Sequence, residues 1–196
     1  MTIDGDGRPN RVARLGRATH ALAMELDTTV PEISLDPIAK DQAPILHNLL
    51  ELYAHDFSEH VPLDLKANGR FDVDLGDRWW TDGDHFPFFV RWNGKLAGFA
   101  LVRRGSRLTD VSDVMDVAEF FVVRGARGKK VGTRAAHAVF AAFPGRWEIR
   151  VRRTNLPARK FWARALEKWL GRPVASVPAS SGGVDWDVFR IEPSRE

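Results

Sequence analysis

The chain has 196 residues, 44% of them hydrophobic, with 16 Gly and 11 Pro, a composition that supports one ordinary globular domain with a full core. There is no cysteine, which excludes disulfide frameworks, thiolate metal sites and cysteine nucleophiles. The formal net charge of +3 is too small to argue for a nucleic-acid partner, and no run approaches the roughly 18 apolar residues of a membrane span, so neither partner is expected and a cytoplasmic location is the default.

Residues 1–31 are polar, basic in their middle and end at a proline, and are expected to form an N-terminal extension ahead of a domain over 32–196. Regular structure is expected from Ile33, where ISLDPI reads as a first strand. Ile45, Leu49, Leu52, Tyr53 and Phe57 then recur at helical spacing, with Asp41 as a start signal. An acidic and aromatic stretch over 58–85 follows, too long for a turn and therefore a candidate for function. Phe86–Arg91 and Leu96–Arg103 are apolar runs joined across Asn93-Gly94, a strong hairpin signal.

A strand over Val114–Val123 leads into a glycine-rich basic loop and a helix whose buried face is expected to hold Val131, Ala135, Ala138, Val139 and Ala142, stopped by Pro144-Gly145. Trp147, Ile149 and Val151 alternate with charged residues as in a half-buried strand. Thr154-Asn155 can cap a last helix whose stripe is Ala158, Phe161, Trp162, Ala165, Leu166 and Trp169. Pro173–Val177 and Val184–Ile191 are expected to close the chain as a hairpin about Ser180 to Gly183. The order β-α-β-β-β-α-β-α-β-β is that of an α/β (α+β) domain with a central sheet of about six to seven strands.

The stretch VVRGARGKKVGTRAAHAV, Val122 to Val139, places five basic residues and three glycines at the mouth of a helix. A helix start carries unpaired N–H groups and about half a positive charge, so it is a seat for phosphate, and glycine lets a large anion approach the backbone. Neither the Walker loop nor the G-x-G-x-x-G dinucleotide motif fits. The segment Arg127-Gly128-Lys129-Lys130-Val131-Gly132 instead resembles motif A of the GNAT superfamily of N-acetyltransferases, [RQ]-x-x-G-x-[GA], matching at Arg127 and Gly132 and departing at Lys130, where a glycine is usual. Downstream, Asn155-x-x-Ala158-x-x-Phe161-Trp162 resembles the second cofactor-side motif of that superfamily, and Tyr53, His55, Asp56, Ser58 and Glu59 match a Y-x-H-D-x-S-E pattern of bacterial predicted acetyltransferases.

The resemblance implies a mixed, mostly antiparallel sheet flanked by helices, and transfer of an acetyl group from acetyl-coenzyme A to a primary amine by direct attack. It implies that the cofactor is held by Phe121, Val122 and Val123 of the strand, by Arg127, Gly128, Lys129, Lys130, Val131, Gly132 and Thr133 of the loop and helix start, and by Asn155, Phe161 and Trp162. No metal is implied. The rival reading is a non-catalytic acyl-coenzyme A sensing module, since Trp162 stands where relatives often carry a tyrosine and an indole cannot supply a proton.

For a general base the strand offers Asp116 and Glu119, whose odd spacing puts them on opposite faces of a regular strand; Glu119 is preferred because Val117, Phe121 and Val123 would share its face and raise its pKa. Tyr53, the only tyrosine, is either the proton donor or a core residue. His55, Asp56, Trp79 and Trp80, with the carboxylates around them, are candidates for holding a cationic small-molecule or peptide acceptor through charge and cation–π contact. A homodimer is compatible with the sequence.

Overall fold

The computed structural model describes residues 32–192. The expected extension at 1–31 lies outside the described residues. Strands β1 (Ile33–Pro37), β2 (His85–Trp92), β3 (Lys95–Arg104), β4 (Val114–Val122), β5 (Arg146–Arg152), β6 (Val177–Ser181) and β7 (Val184–Ile191) form one seven-stranded sheet in the order β1-β2-β3-β4-β5-β7-β6. Only the β4–β5 pair is parallel; all other neighbours are antiparallel. Helices α1 (Ala43–Phe57), α2 (Arg78–Thr81), α3 (Val131–Ala142) and α4 (Leu156–Leu170) complete the expected order, α2 being a single turn inside the irregular stretch. None of the described helices is long and apolar enough to cross a membrane.

Each helix lies where its apolar stripe dictates. Ala136, Val139 and Phe140 of α3 and Trp162, Ala165 and Leu166 of α4 bury one face of the sheet, against Val102, Met115, Val117, Ile149 and Phe189. Leu46, Leu49 and Leu50 of α1, with Trp79 of α2, cover the other face over Phe89, Phe99, Leu101 and Phe121. Full burial of one such side chain is worth about 1.5–3 kcal/mol, so the two layers fix the helices firmly to the strands that carry the site.

Several details depart from the expected pattern, among them Ala142 of α3 and Trp169 of α4, which are exposed rather than on the buried face. In α1 the buried face is Leu46, Leu49, Leu50 and Ala54, while Ile45 and Leu52 flank it and stay 43% and 53% exposed. The first helical residue is Ala43, Asp41 lying in a preceding 3-10 turn that offers no side-chain cap. The strand expected over 173–177 forms instead at Val177–Ser181, because the two-residue turn at Gly182 and Gly183, both with positive φ, pairs Ser181 with Val184 and so fixes which residues face β7. The Asn93-Gly94 hairpin forms as expected, joining Trp92 to Lys95.

Candidate active site

The parallel β4–β5 pair holds together only at its start. Val114, Met115 and Asp116 pair with Arg146, Trp147 and Glu148, after which β5 runs on beside β7 and β4 continues to Val122 paired with β3 alone. Diverging parallel strands leave backbone groups without a partner, and here they open a cleft of about 460 Å³. Its walls are Val117 to Phe120 of β4 and Arg150 to Arg152 of β5. Asn155, Ala158 and Trp162 of α4 line one end, and Tyr53 and Phe57 of α1 with Arg107, Leu108 and Trp186 line the other.

A bulge in β4 decides which carboxylates face this space. Leu101 of β3 pairs with Glu119 and its neighbour Val102 with Val117, so Ala118 is the extra residue. Strict alternation is lost there, and Glu119 shares a face with Phe121 but not with Val117, which packs on the α3–α4 side. Asp116, paired with Arg103, therefore comes to the same face as Glu119, contrary to the opposite faces expected of a regular strand. Only one of the two is open to the cleft. Asp116 is fully buried and receives Arg103 Nε at 2.9 Å and Arg150 Nη2 at 3.0 Å. Glu119 is half-buried, lines the cleft and accepts a 2.5 Å hydrogen bond from the Tyr53 hydroxyl.

Burial pushes the Glu119 carboxyl above its ordinary pKa, against the opposing pull of the Tyr53 hydrogen bond and the Arg150 charge. Burial, followed by the Glu119 charge, also raises Tyr53 well above the usual phenol value. The hydroxyl proton is thus held between the two oxygens, and Tyr53 is a poor acid toward anything else.

At the far end of β4 a 3-10 turn at Arg124–Ala126 leads to α3. No side chain caps this helix, so its first amides, at Val131, Gly132 and Thr133, have neither an intrahelical partner nor a capping group. Lys130 occupies the N-cap in the left-handed region, with φ 63° and ψ 1°, and Gly128 has φ 76°. That conformation accounts for the usual glycine at position 130: the backbone turns there whether or not the residue suits it. Gly132 has a second constraint, since a Cβ on it would stand 3.1 Å from the Phe161 ring, where α4 crosses the start of α3.

The remaining cofactor-side residues divide by what already holds them. The Val123 amide bonds to the Ala97 carbonyl, so by alternation the backbone of Phe121 also faces β3 and that of Val122 faces the open side. Arg127 is a fastener. Its Nε donates to the Val122 carbonyl at 2.8 Å, and its Nη2 pairs with Asp56 of α1. Lys129 bonds to the Gly125 carbonyl and lies 4.9 Å from the Trp92 ring centroid. Asn155 caps α4 by accepting from the Ala158 amide at 3.0 Å, leaving its NH₂ group for the cleft that it lines. Trp162 is 6% exposed and wedged against Phe120 and Phe161, with one edge on the cleft.

None of His55, Asp56, Trp79 and Trp80 lines the cleft. His55 is exposed, and Asp56 is taken by Arg124 and Arg127; burial alone would raise the Asp56 carboxyl, but the hydrogen bonds from these two arginines hold it below its ordinary value. Trp79 is buried under the sheet, and Trp80 donates its indole N–H to the Ile38 carbonyl at 3.1 Å. Several contacts tie the acidic stretch to the rest of the fold, while Asp64, Asp74, Asp77, Asp82 and Asp84 stay exposed. Glu51 of α1 accepts from the Phe71 and Asp72 amides, Asp74 from the Gly76 amide, and Asp77 pairs with Lys40. Among the described residues no group of three or more His, Asp or Glu side chains is placed to hold a metal ion.

The groups that sequence reasoning missed are Arg107, Arg150, Arg152 and Trp186, brought in from three separate elements. The alternation of β5 was the available signal for Arg150 and Arg152 sharing a face; nothing local marks Arg107 or Trp186.

Comparison with known proteins gives a consistent picture. The sequence profile described as "Acetyltransferase (GNAT) family" matches residues 46–167. Comparison with curated proteins finds no match. Among solved structures, an acetyltransferase from Thermus thermophilus superposes with a TM-score of 0.61 at 17% identity, covering 82% of this chain and 96% of that one. AAC(6')-Ib in complex with ribostamycin and coenzyme A superposes at 0.62 and 13% identity, over 82% and 93% of the two chains. A chimera of the spermidine N-acetyltransferase SpeG from Vibrio cholerae and hSSAT superposes at 0.53 and 14%, over 83% and 96%. At these identities the likeness is one of fold.

Proposed function

The chain belongs to the acetyltransferase (GNAT) family, and from that premise we propose that it moves an acetyl group from acetyl-coenzyme A to a primary amine, with Glu119 as the general base. The observation that carries this reading is the cleft itself. An uncapped helix start stands beyond the outer end of β4, past Val122, and a carboxylate of raised pKa lines the cleft further in, where the edge of β4 beyond Asp116 is open. AAC(6')-Ib, of like fold, binds coenzyme A.

The residues present fit such a cosubstrate. The amides of Val131, Gly132 and Thr133, the positive helix end and the exposed Lys130 suit a diphosphate, and the open side of β4, where the Val122 carbonyl is held by Arg127 but its amide has no partner strand, suits an amide-bearing arm laid beside it. Bound there, acetyl-coenzyme A supplies an activated acyl group as its thioester. Glu119 takes the proton that the attacking nitrogen must lose, a task matched to a carboxyl whose pKa lies above the ordinary range. Tyr53 is a positioning residue: its hydroxyl fixes the rotamer of Glu119 and its proton stays on that bond. Trp162 and Phe120 give the cleft an apolar wall.

The test is a calorimetric titration with acetyl-coenzyme A, followed by thiol release against a panel of amines. Binding with release on one amine class supports the reading. Binding with no release from any amine supports an acyl-coenzyme A sensing module instead, and no binding removes both.

A further inference from the structure

The inner end of the cleft holds more positive charge than amine transfer calls for. Its ionisable lining, besides the Tyr53–Glu119 pair, is Arg107, Arg150 and Arg152. Arg150 is paired with the buried Asp116, which it shares with Arg103. Arg152 is not: among the described residues its buried Nε has no hydrogen-bond partner, and its guanidinium lies 4.9 Å from the Trp186 ring centroid, beside that of Arg150 at 5.0 Å on the same indole. Two like charges on one ring repel, and an anion taken up in the cleft by Arg152 would relieve that cost.

Arg107 reaches the cleft from the β3–β4 connection, which Ser106 ties to the sheet by donating to Glu148 at 2.7 Å. Arg107, Arg150 and Arg152 thus line the same cleft as the Tyr53–Glu119 pair. A polycation such as spermidine would have to enter against this charge.

We propose that the acceptor amine carries its own anionic group, a carboxylate or one of like geometry, which Arg152 and Arg107 receive while the amino group faces Glu119. This rests on the acetyl-transfer reading and narrows it to zwitterionic acceptors. Guanidinium is suited to the task because its fork meets a carboxylate through two parallel hydrogen bonds.

Matched acid and amide pairs test it directly: glycine, β-alanine, 4-aminobutyrate and L-phenylalanine against their primary amides, with spermidine and kanamycin as cationic controls, in the thiol-release assay on the full chain. The expected result is a preference for at least one acid over its amide of roughly tenfold or more in kcat/KM, the scale of a charge-assisted hydrogen bond. In Arg152→Gln and, separately, in the loop variant Arg107→Gln, that ratio falls toward one while the KM for acetyl-coenzyme A holds. Amides or spermidine turning over as well as the acids, or a ratio that survives both substitutions, would overturn the proposal and leave acetyl transfer standing. If no amine releases thiol, acetyl transfer itself fails, and the anion site is read by titrating N-acetyl-L-phenylalanine and its amide into the protein with coenzyme A. Binding of the acid alone, lost in Arg152→Gln, supports the site; equal binding or none overturns it.

Discussion

The Tyr53 hydroxyl, on the helix that precedes most of the sheet, donates a 2.5 Å hydrogen bond to Glu119 on the bulged strand 66 positions later. This bond favours the ionised carboxylate, whereas burial disfavours it, and burial wins. The base must be ionised to act, so kcat/KM should rise with pH along a limb displaced above the ordinary carboxylate range. Glu119→Gln should lower kcat by about 10²–10⁴-fold, the usual worth of a general base, and abolish that limb, with acetyl-coenzyme A affinity retained. Tyr53→Phe removes the bond that lowers the Glu119 pKa and should move the limb to higher pH. A pH–rate profile of the two variants checks both; wild-type limbs in both would remove the assignment.

Asp116 sits behind this pair, fully buried between Arg103 and Arg150. Replacing it with Ala leaves two guanidinium groups near the sheet centre without a counter-charge, and breaking a buried pair in this way costs about 3–5 kcal/mol. Urea unfolding should show that loss for Asp116→Ala. A cost below about 1 kcal/mol, the worth of an exposed pair, would mean that water reaches both arginines.

Most of the fold could be read from local pattern, because alternation in β5, helical spacing in α3 and α4 and the Asn93-Gly94 turn each act over a few residues. The uncapped helix start was legible for the same reason: Gly128 to Thr133 are consecutive, and a helix start is a local event. The inner end was not. Whether Asp116 or Glu119 faces the cleft depends on a bulge at Ala118, which is set by register against β3 and leaves no mark in composition. Arg107 and Trp186 come from a connection and a strand far apart in the chain, and only the divergence of β4 from β5 brings them together. Conversely, the acidic and aromatic stretch around Trp79 has residue types that suit a binding surface, yet Asp72, Asp74 and Asp77 already have partners in Asn68, Gly76 and Lys40, and its indoles are packed or bonded. Composition reports what a segment can bind and not what already occupies it.

Gly98 escaped notice in the sequence and is the least replaceable glycine of the sheet. A Cβ built on it would lie 1.9 Å from the Phe121 carbonyl oxygen, a backbone atom that can move only if β4 moves. Gly98→Ala should therefore cost at least the roughly 1–3 kcal/mol typical of overpacking, and should shift the strand that carries Glu119. Thermal unfolding together with kcat for Gly98→Ala checks this. Wild-type values for both would show that β3 and β4 can part without disturbing the cleft.

Lys130 and Gly132 separate backbone geometry from charge at the outer end. Lys130 holds a left-handed conformation that costs a non-glycine residue about 1–2 kcal/mol, against roughly 0.5–1 kcal/mol of chain entropy that glycine would add, so Lys130→Gly should be neutral to slightly stabilising. The same change removes an exposed cation beside the helix start, and affinity for acetyl-coenzyme A should fall with a reduced dependence on salt. Gly132 behaves in the opposite sense. A Cβ there presses on the Phe161 ring at 3.1 Å, so Gly132→Ala tests packing alone and Gly132→Glu adds a negative charge where a diphosphate would sit. Calorimetry should find affinity modestly weakened by the first and lost in the second, while circular dichroism shows both folded. Equal affinity in Gly132→Glu and wild type would move the diphosphate off the start of α3, whatever the rest of the cleft does.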